Sequence, residues 1–508
     1  MDKTNKIIYN TGVVYAQLVV TTIISLVSVR FVLQALGEDD YGVYMLVAGV
    51  IALLDIMSAT MSHTSMRFMS YSLGKNDLET SLKTFNTTLF IHYCLAALVV
   101  VVLEIGGWGM FEWFLNIPDD KLFAAKVVYQ FMIVTALVSI VSVPFDAVIN
   151  SHENLLFLAI INIADSLLVI GIALFLLVYN GDRLILYGFL MMMLQVAARI
   201  VKQVYTRLKY PECRVDFRKY RDKKLFKSIL SFTGWDFLNI ASNLCTTQIR
   251  GILINMFFGV KLNAAEGVGK KVNSKLNKLS TGITRAITPQ MNKSEGGGDR
   301  KRLIQLTFAG VRFTTFMYCL LAIPLMCEMQ YVLDIWLKEV PAFTALFCQM
   351  CILIQIISKF TWQITNAVRA VGLIKEMQII GSVLAFSGVI IGYFVFKAGA
   401  GPISIYIIEI ILCCIGAGVN LYFGKKIVGI SPRDFIQKTT LPVLLPILVS
   451  LALVMPMHLM MDESFLRFAL VFGVYIVANA LIFWFFSMNA NEKGRLTEFV
   501  SKRLKKKA

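Results

Sequence analysis

Acidic charge is scarce in this chain. Its 508 residues hold 32 Asp and Glu against 49 Lys and Arg, and charged residues of all kinds make up 16%. A soluble domain carries roughly 25%, so a water-soluble fold is excluded. Histidine is rarer still: His63, His92, His152 and His458 show no metal-ligand spacing. The nine cysteines are scattered, mostly within apolar runs (Cys94, Cys245, Cys319, Cys413, Cys414). Cys348 and Cys351 have redox or metal spacing, but the pair stands alone in an apolar run and reads as small buried residues. Gly296-Gly297-Gly298 lacks the Lys-Ser/Thr of a phosphate loop, so it reads as a turn. No cleavable leader is expected, because residues 1–6 are polar and lead into a long apolar span without a small-residue cleavage site.

What the chain has is hydrophobic length. Apolar residues make up 57%, in repeated runs near 20 residues, each long enough to cross ~30 Å of hydrocarbon. Runs this continuous predict helices, since barrel strands would alternate over about 10 residues. The reading is an all-α polytopic membrane protein of about fourteen transmembrane helices. They are expected at 9–35, 41–61, 85–104, 123–148, 154–178, 184–205, 228–258, 262–288, 307–327, 344–369, 376–396, 403–424, 441–460 and 466–487. With both termini cytoplasmic, the external loops keep only Lys121, Arg183, Lys261, Lys338, Lys397 and Arg467. The cytoplasmic stretch 202–227 alone holds ten basic residues, which sets the orientation. Basic loops beside anionic lipid headgroups explain most of the +17 net charge without a nucleic-acid partner.

The hydrophobic spans also repeat once, at an offset of 222 residues. That shift lays Thr11-Gly12 on Thr233-Gly234, Gly37 on Gly259, Met69 on Met291 and Gly74 on Gly296. The expected organisation is an N-lobe (1–205), a basic surface linker (206–227) with Pro211 and a C-lobe (228–424). Two accessory helices (441–487) outside the duplication and a basic cytoplasmic tail (488–508) complete it. Six spans per half make both repeats enter from the cytoplasm, so two pseudo-twofold lobes are related by an axis along the membrane normal. Such a duplicated membrane chain reads as a secondary transporter whose lobes rock around a shared site.

Charge at membrane depth costs ~2.5–3.5 kcal/mol per group, so it faces a cavity or a partner. The eighth span is the outlier. Lys271, Lys275, Lys278 and Arg285 are spaced by 4, 3 and 7 and share one helix face, a ladder about 21 Å long at ~1.5 Å per residue. Lys270 sits beside them, with Glu266 one turn away to offset part of the charge. The reading is a hydrated, cationic cavity between the lobes that attracts an anion, phosphate above all. The bland alternative is an amphipathic helix on the cytoplasmic surface, which would break the repeat. Arg30 and Arg250, in the first helix of each half, match to within a turn and are candidates to face the same cleft. Arg30 can instead snorkel to the external interface. Lys359, deep in the tenth span, is a further candidate. The intramembrane acids Asp55, Asp146, Asp165, Asp236, Glu266 and Glu409 read first as neutralising partners. Asp55, Asp146, Asp165 and Glu409 are also candidates to carry a coupling ion. Pro144 and Pro324 read as kinks.

Leu36-Gly37-Glu38-Asp39-Asp40-Tyr41-Gly42-Val43-Tyr44 after the first span, and Arg67-Phe68 to Gly74-Lys75 after the second, are familiar. The chain resembles the polysaccharide exporter or O-antigen flippase family of the multidrug/oligosaccharidyl-lipid/polysaccharide exporter superfamily. The resemblance implies a flippase that moves an undecaprenyl-pyrophosphate-linked oligosaccharide across the bacterial inner membrane by alternating access. The diphosphate would seek the lysine ladder, the glycan the hydrated cavity, and the polyprenyl tail would stay in lipid. No cofactor is expected beyond Na+ or H+ as coupling ion, and no nucleotide-binding module is seen. Expected partners are the lipid-linked glycan, membrane lipids and polysaccharide polymerase machinery. A multidrug exporter of the same superfamily would call for an acidic cavity. A flippase for the lipid-linked peptidoglycan precursor shares the cationic one. A membrane glycan polymerase or ligase needs a sizeable external loop, yet the longest (105–122 and 328–343) are short and mostly apolar. Their Glu112, Asp119, Asp120, Asp334 and Glu339 pair with no histidine, so an enzyme is not expected.

Overall fold

The structure, a computed structural model, describes residues 3–52, 55–113, 117–337, 340–490, 492–494 and 497–498. Side chains at 3–4, 26, 38, 49–52, 55–57, 59, 113 and 279 are not described. The side chain of Asp55, Lys338, Glu339 and most of the basic tail therefore lie outside the described residues, as does part of the expected span 41–61. Every regular element among the described residues is helical, as backbone pairing in hydrocarbon requires. Eleven helices there are long and apolar enough to cross a membrane; of the fourteen expected spans, those at 41–61, 228–258 and 262–288 are not among them, the last because of its own lysines.

The first half consists of α1 (Lys3–Ala52), α2 (Asp55–Gly74), α3 (Leu78–Trp113), α4 (Asp119–Ser151), α5 (Leu155–Val178) and α6 (Arg183–Lys209). The second half begins with α7 (Lys223–Phe258), α8 (Val260–Gly296), α9 (Arg300–Cys327) and the short α10 (Met329–Trp336). It continues with α11 (Thr344–Val371), α12 (Lys375–Lys397) and α13 (Ser404–Phe423). A four-residue turn, α14 (Pro432–Phe435), precedes α15 (Leu441–Met460) and α16 (Phe465–Ile482).

The 222-residue offset recurs in the backbone itself. Gly37 breaks α1 at φ 80°, ψ 172°, and Gly259 separates α7 from α8 at φ 84°, ψ 179°. Only glycine occupies this region without strain, so the duplicated glycines are duplicated joints. At the next connection Asn76 (φ 54°) and Gly298 (φ 76°) both turn left-handed. Asp77 then accepts from the Glu79 amide at 3.0 Å, and Asp299 from the Arg302 amide at 3.0 Å. These caps explain why α3 and α9 begin seven residues before the expected spans at 85 and 307. A side-chain acceptor satisfies the free amides of a polar first turn, which extends the helix beyond its apolar part.

The chain divides into two compact units, Tyr9–Phe237 and Leu238–Ala508 joined by Met1–Ile8, with the boundary inside α7. In the first, α4 packs against α2, α3 and α6, and α5 lies on α6. Phe85 and Phe145 meet edge-on in its fully buried core. The polar stretch after α6 is docked on α3: the Asn86 amide donates to the Arg214 carbonyl at 2.9 Å and its oxygen accepts from the Asp216 amide at 2.8 Å. In the second unit α11 is central, packed against α8, α9 and α13. Helices α15 and α16 pair with each other and lie on α9, burying Tyr318, Val471 and Tyr475. A buried Glu328 ties them down, accepting from Arg467 at 2.8 Å and facing His458 at 2.9 Å.

Candidate functional site

Helix α8 has two faces. Ala265, Glu266, Gly269, Leu276, Ile283, Ala286 and Ile287 are buried, on the side packed against α9 and α11. Lys271, Lys275, Lys278 and Arg285 are exposed, on the opposite side. Among the described residues the three lysines make no ion pair. Lys271, Lys275 and Lys278 thus form one open cationic face, with Arg285, which has a contact of its own, exposed on the same side.

Two other predicted cations are held in place. Arg250 is buried (8% exposed); its Nε donates to Glu266 at 3.1 Å and its Nη1 to Glu409. The guanidinium also stacks 5.0 Å over the Tyr406 ring. Lys270 lies 3.0 Å from Glu266 and donates to the Thr247 carbonyl at 2.8 Å. The four side chains form a neutral network linking α7, α8 and α13. Gly251 makes room for it: a Cβ there would stand 3.3 Å from Lys270 Nζ and 3.4 Å from Glu266 Oε2.

Arg30 and Arg250 are not equivalents. Arg30 is exposed on α1. At the 222 offset Arg250 falls on Ser28, which is also buried, and Arg30 on exposed Ile252. The pattern of exposure is duplicated while the charge is not.

Lys359 on α11 is partly buried, its ammonium 5.5 Å from the Tyr318 ring; the Tyr318 hydroxyl donates to Asn273 Oδ1 on α8 at 3.1 Å. In the first unit, Asp146 takes Arg199 at 2.8 Å and Lys202 at 3.3 Å, with Asp165 partly buried nearby on α5 and under the influence of both cations. Buried Asp236 on α7 makes further contacts. The Cys348 and Cys351 thiols are buried and unbridged, and no cluster of potential metal ligands occurs among the described residues.

The sequence reading missed a half-open cavity of about 420 Å³ in the second unit, lined by α7, α11, α12 and α13. Polar and apolar groups share its wall: Asn239 and Asn243 from α7, Gln355 and Thr365 from α11 and Asn420 from α13 stand among apolar side chains such as Met377, Leu384 and Leu412. The Arg250–Glu409 pair lies at its edge and Trp362 lines it. A helical stripe of polar residues in apolar runs (239, 243, 246, 250; 355, 358, 362, 365) was the signal in the sequence.

This arrangement of helices is similar to the fold of solved MATE structures. The bent-conformation MATE crystal structure aligns at TM-score 0.74, with 12% identity over 84% of this chain and 96% of that one. An outward-facing multidrug resistance MATE family transporter of the MOP superfamily aligns at 0.72 with the same identity and coverage. A MOP superfamily transporter from Pyrococcus furiosus, described as having a binding pocket of reverse polarity that suggests a different function, aligns at 0.69, with 12% identity over 84% and 96%. Identities this low show a shared fold. No curated protein matches in sequence. The model of the polysaccharide biosynthesis protein family matches residues 7–270, just over half of the chain. The chain belongs to that family, and its fold is that of the MATE transporters.

Proposed function

We propose that this protein is a membrane exporter of the flippase type, without enzymatic activity of its own. It moves a polyprenyl-pyrophosphate-linked oligosaccharide, such as an undecaprenyl-linked O-antigen, capsule or exopolysaccharide repeat unit, across a bacterial inner membrane by alternating access. The observation that carries this reading is the open face of Lys271, Lys275 and Lys278 on α8. In this reading α8 crosses the membrane with the rest of its lobe, and its ammonium groups cannot face hydrocarbon at ~2.5–3.5 kcal/mol each, so the face needs water and an anion. A diphosphate supplies two adjacent charges for a ladder of this spacing, and its polyprenyl chain never leaves the lipid. Na+ or H+ is the proposed coupling ion, with Asp165 the predicted acid least committed to a partner. A carrier of cationic drugs would need acids on this face, but the described carboxylate of α8 nearest the stripe, Glu266, is buried and paired.

The test is a Lys271→Gln/Lys275→Gln double variant. Export of lipid-linked glycan, read as surface polysaccharide, is expected to be lost while the protein still inserts in the membrane. Export at the wild-type rate in that variant would remove the proposed role.

A further inference from the structure

We propose that the cavity inside the second unit is a binding subsite for a neutral sugar residue. The inference deepens the flippase reading: it assigns the glycan a place on this chain separate from the cationic face of α8.

The lining selects the ligand class by elimination. An anion would need an uncommitted cation, but Arg250 is already held by Glu266 and Glu409. A metal or organic cation would need an uncommitted carboxylate, and Glu409, which lines the cavity, is bound to that same arginine. An apolar ligand would bury the amides without partners, at about 1–3 kcal/mol for each. What remains is an uncharged molecule that donates and accepts around its whole edge.

The wall has the matching spare capacity. Among the described residues the Gln355 side chain makes no hydrogen bond, so both its donor and its acceptor are open. The Asn243 amide donates to the Asn239 carbonyl at 2.7 Å, which leaves its own oxygen free. The Asn420 amide donates to Thr361 Oγ1 at 3.2 Å, again leaving its oxygen free. An amide presents donor and acceptor side by side, the pattern that a pair of neighbouring sugar hydroxyls completes. Trp362 adds an aromatic surface for the C–H face of a pyranose, and it carries Arg369 5.7 Å from its ring. Space is supplied by glycine. Gly416 lines the cavity, and a Cβ there would meet nothing within 4 Å. At about 420 Å³ the volume is within the ~300–1,000 Å³ typical of small-molecule sites.

The experiment uses the full chain in lipid nanodiscs and saturation-transfer difference NMR. The probes are methyl glycosides of glucose, galactose, rhamnose and N-acetylglucosamine. At least one is expected to bind with a millimolar Kd, weak enough for release after transport. Gly416→Leu, which fills open space and removes a helix-weakening glycine, is expected to lower that affinity at least tenfold without lowering the unfolding temperature. Gln355→Leu, which removes a side chain with no hydrogen-bond partner among the described residues, provides a second variant expected to weaken binding. No response from any glycoside, or the same affinity in both variants as in the wild type, would overturn the proposal. A separate titration of the wild-type protein with inorganic pyrophosphate distinguishes the two readings. Glycoside binding without pyrophosphate binding would sink the flippase reading and leave the sugar subsite standing.

Discussion

The buried ion network offers a perturbation whose effects on stability and on binding run in opposite directions. Glu266 is 1% exposed and serves Arg250 at 3.1 Å and Lys270 at 3.0 Å. Glu266→Gln keeps the shape and removes the charge, so a neutral network becomes a cationic one. Removing one partner of a buried pair costs about 3–5 kcal/mol. Glu409 still holds Arg250, and Lys270 still has the Thr247 carbonyl, so about 3 kcal/mol is expected, the low end of that range. At roughly 2–4 °C per kcal/mol for units near this size, the unfolding midpoint of purified protein should fall by about 6–12 °C. Lys270→Gln should cost less than half as much, because the Arg250 bridge to both carboxylates survives it. The charge left by Glu266→Gln also sits beside the lysine face, so the variant should bind pyrophosphate more tightly than the wild type. Saturating pyrophosphate should therefore recover much of the lost stability, since ~100 times Kd of a ligand is worth about 2.7 kcal/mol. A midpoint within 2 °C of wild type would show that the network holds nothing together. A destabilised variant with unchanged pyrophosphate affinity would show that Lys270 and its neighbours do not form an anion site.

Other consequences are simpler to read. Gly37→Ala and Gly259→Ala should each cost about 1–3 kcal/mol, because both joints lie in backbone space that L side chains barely enter; unfolding midpoints that drop at only one of them would mean the joints are not equivalent. At the start of α3, the Thr80 hydroxyl, donating at 2.5 Å, holds the Asp77 carboxyl below its usual 3.8. Its support of the helix should thus be complete above that pH and fade as pH falls through the lower folded value. Hydrogen exchange at the Glu79 and Thr80 amides should quicken on that descent, and quicken at pH 7 in Asp77→Ala; indifference to the substitution at pH 7 would refute the capping role.

Local patterns in this chain were readable and distant pairings were not. The joint at Gly37 and Gly259 rests on a single residue type at a fixed spacing, so the offset found it; the caps at Asp77 and Asp299 are as local, but they lie in the polar stretches before the apolar runs and a reading by hydrophobic length passed over them. The Glu266–Lys270 pair, one helical turn apart, was legible from spacing alone. Arg250 shows the opposite case. Nothing in its neighbourhood announces Glu409, 159 residues away, and without that partner a buried structural arginine looks like a ligand-binding one. Asp146 with Arg199, 53 residues apart, is the same kind of pairing. The polar cavity was written as helical stripes on α7 and α11, but a stripe does not say what it faces until the helices are packed.

The duplication also separates what the fold requires from what it does not. In the first repeat, the positions matching Lys270, Lys271, Lys275 and Lys278 are Ala48, Gly49, Leu53 and Ile56. One repeat of the same design therefore has small or apolar residues at this register. The joint glycines, the caps and the buried Met69 and Met291 are kept in both repeats, as expected of residues that hold backbone and core. The lysines are in one only, and three of them, Lys271, Lys275 and Lys278, are exposed and make no ion pair among the described residues. The ion network accounts for Lys270 but not for the other three; on the proposed flippase reading a ligand that needs their charge accounts for them, and it would be met by this repeat and not by its twin.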